Sequence, residues 1–142
     1  MLDPEHPNAL APGKRPAHTL MPVTVHREGR LAAVSGTMGG PAHPQINGAS
    51  LVRAFELGMS PQEAVAAPRW LVGGMDDALG LVEAEAGVPE STAELLEGAG
   101  FRVTRLDADD SSVGHAHLIR LDPDGSLEAG TDPRADGAAL AG

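Results

Sequence analysis

Apolar and polar positions change their period along the chain. Residues 22–36 (PVTVHREGRLAAVSG) form two apolar-rich runs around Arg27-Glu28-Gly29, where glycine permits a positive φ, and predict a β-hairpin. From about His43 to Leu57 the residues Ile46, Ala49, Leu51, Val52, Phe55 and Leu57 make a mixed apolar stripe, which predicts a buried helix stopped by Gly58. Ser60-Pro61-Gln62-Glu63 opens a second helix: serine caps it, proline suits its first position, and Glu63 completes a capping box. That helix ends by Ala67, because Pro68 disfavours a helical residue before it. Residues 69–72 and 80–85 predict short strands, and Pro89 to Glu97 a capped third helix with Leu95 and Leu96 facing inward and Gly98 and Gly100 closing it. Strands follow at 101–106, 115–121 and near 126–130, the last two joined by an Asp122-Pro123-Asp124-Gly125 turn.

The two ends lack such periods. Residues 3–16 contain four prolines, so a loop is expected over 1–20, and the small-residue stretch 132–142 is expected to be a flexible tail. Between them, an α+β body spans 21–131. Its strands are joined mainly as antiparallel hairpins, with three helices collected among them.

The chain has 142 residues, enough for one domain with its own core. Two Phe, one Trp and no Tyr leave that core to Ala, Val, Leu and Met. No apolar run reaches the roughly 18 to 20 residues of a spanning helix, which argues against a membrane role, and the first residues show no signal-peptide pattern. With no cysteine there is no disulfide framework and no thiolate metal site. Residues 1–71 hold six Lys/Arg and five Asp/Glu, whereas residues 72–142 hold four and fifteen. An acidic chain with no basic stripe and few stacking aromatics argues against nucleic acid.

Candidate chemistry is sparse. His115 and His117 share one face of a predicted strand and, with Asp109 or Asp110, suggest a metal site; no third ligand is fixed by spacing, so ordinary surface or packed histidines are the simpler reading. Asp76-Asp77 and Asp109-Asp110 suggest acid–base pairs, but both fall in predicted loops where solvated carboxylates are usual. Ser111-Ser112 with His115 is the one nearby serine and histidine set, at a spacing that fits no nucleophile elbow. Gly39-Gly40 lacks the signatures of a phosphate loop; consecutive glycine N–H groups suit an oxyanion better, and a tight turn demanded by packing is the structural alternative.

An ordered set of motifs carries a resemblance. Asn8 to Pro16 (NALAPGKRP), Gly36-x-x-Gly39-Gly40, Ala67-Pro68-Arg69 and Gly130-Thr131-Asp132-Pro133-Arg134 together resemble the gamma-glutamyltranspeptidase family, specifically the carboxy-terminal part of its small subunit, over about residues 2–137. The resemblance implies part of an N-terminal nucleophile hydrolase fold, a layered α-β-β-α sandwich. It also implies acyl transfer or hydrolysis of gamma-glutamyl groups by a self-exposed threonine whose α-amine is the base. No cofactor and no metal are implied.

By the same resemblance, Gly39 and Gly40 are the oxyanion donors. His18 and Thr19 stand where transpeptidases usually carry two adjacent serines that hold the donor's α-carboxylate. Lys14, Arg15, Asp132 and Arg134 match positions that brace the site through ion pairs and turn hydrogen bonds. His18 departs from the pattern in size and charge, which opens the site to acylase-like donors. Neither Met1 nor Leu2 replaces an N-terminal hydroxyl, so the expected partners are a small-molecule gamma-glutamyl or related acyl donor and the remainder of the enzyme: the large subunit and the earlier part of the small subunit, with the threonine. Two other readings stand beside this one, a non-catalytic binding module that keeps half the fold and an independent hydrolase using Ser111 or Ser112. Polar sheet faces would mark the module; apolar ones would speak against it.

Overall fold

The computed structural model describes residues 3–73 and 79–140. The loop runs without helix or strand from residue 3 to residue 22. The hairpin follows as β1 (Val23–Arg27) and β2 (Arg30–Met38), turning through Glu28 and Gly29 at φ 52° and 76°. Two positive φ values in succession match the right-handed twist of the flanking strands. A short 3₁₀ turn (Gly40–Ala42) leads directly into α1 (His43–Phe55), and α2 (Pro61–Ala66) begins with the expected box: Ser60 Oγ accepts from Glu63 N at 3.2 Å and Glu63 Oε2 accepts from Ser60 N at 2.8 Å.

β3 (Trp70–Val72), β4 (Leu81–Glu85), α3 (Glu90–Gly98) and β5 (Arg102–Leu106) come next, then β6 (His115–Leu121) and β7 (Leu127–Thr131). Strands β1, β2, β6 and β7 lie in that order in one antiparallel sheet, while β3, β4 and β5 form a second sheet in which β4 and β5 are parallel. The parallel pair follows from its connection: α3 carries the chain back along the sheet, as any parallel crossover requires.

Helices α1 and α2 pack on one face of the four-stranded sheet. Ala33, Ile46, Ala64, Val65, Ala116 and Leu118 interlock there with almost no exposure. The turned-in side of α1 is Ile46, Asn47, Ser50 and Ala54, whereas Val52 and Leu57 are exposed, which corrects the apolar stripe expected from sequence. The cause is Asn47, whose Oδ1 accepts from Ser35 Oγ at 3.0 Å while its Nδ2 reaches Met21 O at 3.4 Å, so a polar residue is satisfied inside. Helix α3 also differs from expectation: Pro89 caps it with no side-chain bond, Ala93 is its buried residue, and Leu95 is 75% exposed.

The opposite face of the large sheet is apolar through its middle rows, with His115, His117 and Thr131 at one end. Register aligns Thr24, Val34, Ile119 and Ala129 across all four strands, with Leu121 and Leu127 in the next row. Val34, Met38, Ile119 and Leu127 are 37%, 47%, 42% and 69% exposed there. The chain around Gly137 comes down on one end of this face, beside His117 and Thr131. Asp132 and Arg134, assigned to the tail by sequence, are buried at 1% and 7% exposure. The next subsection gives the reason.

Candidate active site

Gly39 and Gly40 occupy the turn between β2 and α1. Gly39 is buried, and a Cβ there would stand 2.5 Å from Ile46 Cδ1; Gly40 has φ +49°, a region that glycine enters most easily. Packing therefore accounts for Gly39, and the positive φ for Gly40. The turn also leaves donors free, since no acceptor among the described residues takes the N–H of Gly39 or Gly40. Pro41 has no N–H, and Ala42 N bonds back to Gly39 O at 2.9 Å. The two free donors thus stand at the start of the 3₁₀ turn that precedes α1, where unengaged N–H groups can take an acceptor such as a developing oxyanion.

Loop residues reach the same end of the sheet. Val23 pairs with Ser35, so the chain preceding β1 runs toward Met38 and the glycine turn, and the Asn47 bond to Met21 O holds it against α1. His18 and Thr19 lie just upstream, exposed. On the far side of β2, Met38 pairs with His115. Gly114, at φ +79°, allows this approach, because a Cβ would fall 2.3 Å from Met38 O.

Behind the turn lies a buried ionic cluster that sequence reasoning found only in part. Asp132 and Arg134 belong to it; Arg69 and Glu85 complete it, with exposures of 2% and 0%. Asp132 accepts four bonds: from Arg69 Nη2 and Ala116 N (2.7 Å) on Oδ2, and from Arg134 N (3.0 Å) and Arg134 Nη1 (2.9 Å) on Oδ1. Glu85 also accepts four: Arg134 Nε (2.7 Å) and Asp110 N (3.0 Å) on Oε1, and Arg134 Nη2 (2.5 Å) and Arg69 N (2.7 Å) on Oε2. Arg69 extends the lattice to Gly114 O and Val65 O, both at 2.8 Å. Burial raises the Asp132 carboxyl, but the Arg134 N–H and the Arg69 guanidinium outweigh it and hold the group below the usual range. The Arg69 guanidinium is lowered as well, first by desolvation and then by the nearby Arg134 charge.

This cluster ties β4, β6 and the 132–134 turn together directly behind Gly114. Glu85 was missed because its partners are fixed by tertiary register, and the run Leu81-Val82-Glu83-Ala84 before it already carries an acidic residue, so a second one stands out by nothing local. Lys14 and Arg15 stand apart: both are exposed on the loop, and Lys14 Nζ donates to Ala9 O at 3.0 Å.

The competing candidates look weaker in three dimensions. His117 Nδ1 lies 3.2 Å from Thr131 Oγ1, and no three His, Asp or Glu side chains converge on one point among the described residues. Asp110 Oδ1 accepts from Ser112 N at 2.8 Å, a turn bond, and hydrogen bonds from Ser112 hold the Asp110 carboxyl below its usual range. Asp76-Asp77 lies outside the described residues. The cleft lined by Arg27, Arg30, Phe55 and Arg120 opens at the hairpin end of β2, the end opposite the glycine turn.

Comparison with known proteins decides the family. The gamma-glutamyltranspeptidase family model matches residues 1–142. The chain belongs to the gamma-glutamyltranspeptidase family. It is 38% identical to a glutathione hydrolase-like YwrD proenzyme of Bacillus subtilis over 98% of this chain, and 41% identical to an oxamate amidohydrolase proenzyme of Klebsiella pneumoniae over 97%. These alignments cover 27% and 26% of those relatives, so the chain spans about a quarter of their length. Among solved structures, a cephalosporin acylase from Bacillus halodurans superposes with TM-score 0.81 at 35% identity, covering 99% of this chain and 26% of that one. A gamma-glutamyltranspeptidase chain from Pseudomonas nitroreducens gives 0.75 at 25% identity, covering 96% of this chain and 69% of that one. The fold is part of the N-terminal nucleophile hydrolase sandwich of this family, mixed α and β with mainly antiparallel sheets.

Proposed function

We propose that this chain is the carboxy-terminal part of the small subunit of a gamma-glutamyltranspeptidase-family acyltransferase or hydrolase, and that it supplies the oxyanion donors and one wall of the donor pocket. The observation that carries this reading is the pair of unengaged N–H groups of Gly39 and Gly40 at the start of the 3₁₀ turn before α1. Such donors, fixed before reaction, stabilise the tetrahedral intermediate without having to reorganise. The threonine that attacks the acyl carbonyl, and the large subunit, belong to the remainder of the enzyme. His18 and Thr19, at the same end of the sheet, line the acyl-donor side. The Arg69–Glu85–Asp132–Arg134 cluster braces the turn through Gly114.

The donor need not be gamma-glutamyl. Relatives named as an acylase and an oxamate amidohydrolase fit a site in which His18 replaces a serine. The apolar open sheet face speaks against a free-standing binding module, since Val34, Met38 and Ile119 would be left in water. The test is a donor comparison in the whole enzyme. Replacing His18 and Thr19 by serines is expected to raise kcat/KM for a gamma-glutamyl donor relative to a glutaryl donor, because a site that pairs the α-substituents rejects a donor lacking them. An unchanged ratio would show that these two positions do not read the α-carbon.

A further inference from the structure

The closed end of the hairpin sets two like charges against each other. Arg27 on β1 and Arg30 on β2 are direct cross-strand partners. Side chains so placed have Cβ atoms about 4.5–5.5 Å apart, and like charges there are destabilising. Among the described residues neither arginine makes an ion pair or a side-chain hydrogen bond, and Glu28 between them pairs with neither. The one compensation is the Phe55 ring, whose centre lies 5.7 Å from the Arg27 guanidinium. In a chain with ten Lys/Arg against twenty Asp/Glu, carboxylates are plentiful, yet none stands here.

A bulge puts the two arginines on one side. From Val25 to His26 is one step along β1 but from Ala33 to Leu31 is two along β2, so Ala32 is an extra residue. Side chains alternate along a regular strand, and without that residue Arg30, three places from buried Ala33, would face away from the helices. The bulge turns it back beside Arg27, against the end of α1; re-aiming a side chain is a common use of such irregularities. Arg120 has the parity of buried Ala116 and Leu118 and faces the same way, but its charge is already met by Glu128 and by Asp122, 3.2 Å from Nε.

These three arginines rim a cleft of about 310 Å³ whose other walls include Leu31, Ala54, Phe55 and Leu121. That volume falls within the range of small-molecule sites, about 300–1,000 Å³. Two unengaged guanidinium forks suit the paired oxygens of a carboxylate or phosphate, and the apolar walls suit a small hydrocarbon body attached to it. We propose that the cleft binds a small organic anion, with its carboxylate or phosphate shared between Arg27 and Arg30 and its apolar part against Leu31, Ala54 and Phe55. The bound anion neutralises the repulsion across the hairpin. This site is independent of the function proposed above.

The experiment is calorimetric titration of the whole enzyme with phenyl phosphate and with benzoate, using inorganic phosphate and benzyl alcohol to separate charge from apolar contact. Saturable one-to-one binding is expected for phenyl phosphate or benzoate, and the tighter of the two identifies the head group. Inorganic phosphate and benzyl alcohol should each bind about tenfold more weakly or worse, since each lacks one half of the match. Arg30→Ala should weaken the preferred probe by about tenfold or more, and Arg30→Lys, which keeps the charge but not the fork, by less. Because Arg30→Ala also removes the repulsion, the Tm of the probe-free enzyme should hold or rise. No saturable binding of either organic anion would overturn the proposal. So would equal affinity in Arg30→Ala, which places the probe elsewhere, or equal affinity for inorganic and phenyl phosphate, which leaves the apolar walls unused. A fall in the probe-free Tm of Arg30→Ala would also contradict it, by showing that Arg30 already has its partner within the enzyme.

Discussion

Asp132→Asn is the most informative perturbation of the framework. Both Asp132 oxygens receive two N–H donors each, so an asparagine, whichever way it turns, points its NH₂ at two donors and keeps only one oxygen to accept. It also leaves Arg69 and Arg134 facing Glu85 as their one buried carboxylate in the cluster. Breaking a buried ion pair from one side costs about 3–5 kcal/mol, a large share of the roughly 5–15 kcal/mol that keeps a domain folded. A local readout suits a multi-part enzyme: hydrogen exchange at the Ala116 amide, which donates to Asp132 at 2.7 Å, should accelerate by about a hundredfold or more together with a lower Tm. Acid acts on the same bond. Because the folded Asp132 carboxyl lies below its usual value, its contribution is complete above the unfolded pKa of about 3.9 and fades as pH falls through the lower folded value. Asp132→Asn should therefore lose most stability at neutral pH and little more on acidification. A loss under about 1 kcal/mol would mean that the carboxylate is effectively solvated and the bracing argument wrong.

Other expectations are more local. Gly114→Ala must move Met38 O, 2.3 Å from the new Cβ, and should lower activity with the glycine turn displaced, seen as weaker binding of a tetrahedral-intermediate analogue. Gly130→Ala places a Cβ 2.4 Å from Pro61 O and should lower Tm by pushing α2 off β7 while leaving the donor preference alone. Ser60→Ala removes the α2 cap and should cost about 1 kcal/mol in a denaturation series. Residues 1–142 alone should bind an apolar dye and self-associate through the open face; a monodisperse, dye-silent monomer would contradict that.

Elements governed by neighbours in sequence were legible from sequence. The Glu28-Gly29 hairpin and the Ser60–Glu63 box rest on contacts within four residues, and both stand where the local chemistry puts them. The inward side of α1 was misjudged because Asn47 and Ser50 look like surface residues until β2 supplies Ser35 as a partner. Leu95 was expected inside for its hydrophobicity alone, yet α3 buries Ala93 instead. The cluster was half legible. Asp132 and Arg134 carry a recognisable motif, whereas Glu85 meets Arg69 because β3 and β4 pair, and that pairing is a property of the fold.

The central claim is that residues 1–142 stabilise the reacting carbonyl but do not attack it. Trapping the acyl-enzyme of the whole protein with a slowly deacylating donor, followed by peptide mapping by mass spectrometry, tests it most directly. The account predicts a single acyl group on an N-terminal threonine outside residues 1–142. An acyl group on Ser111, Ser112 or any other residue of this chain would contradict it.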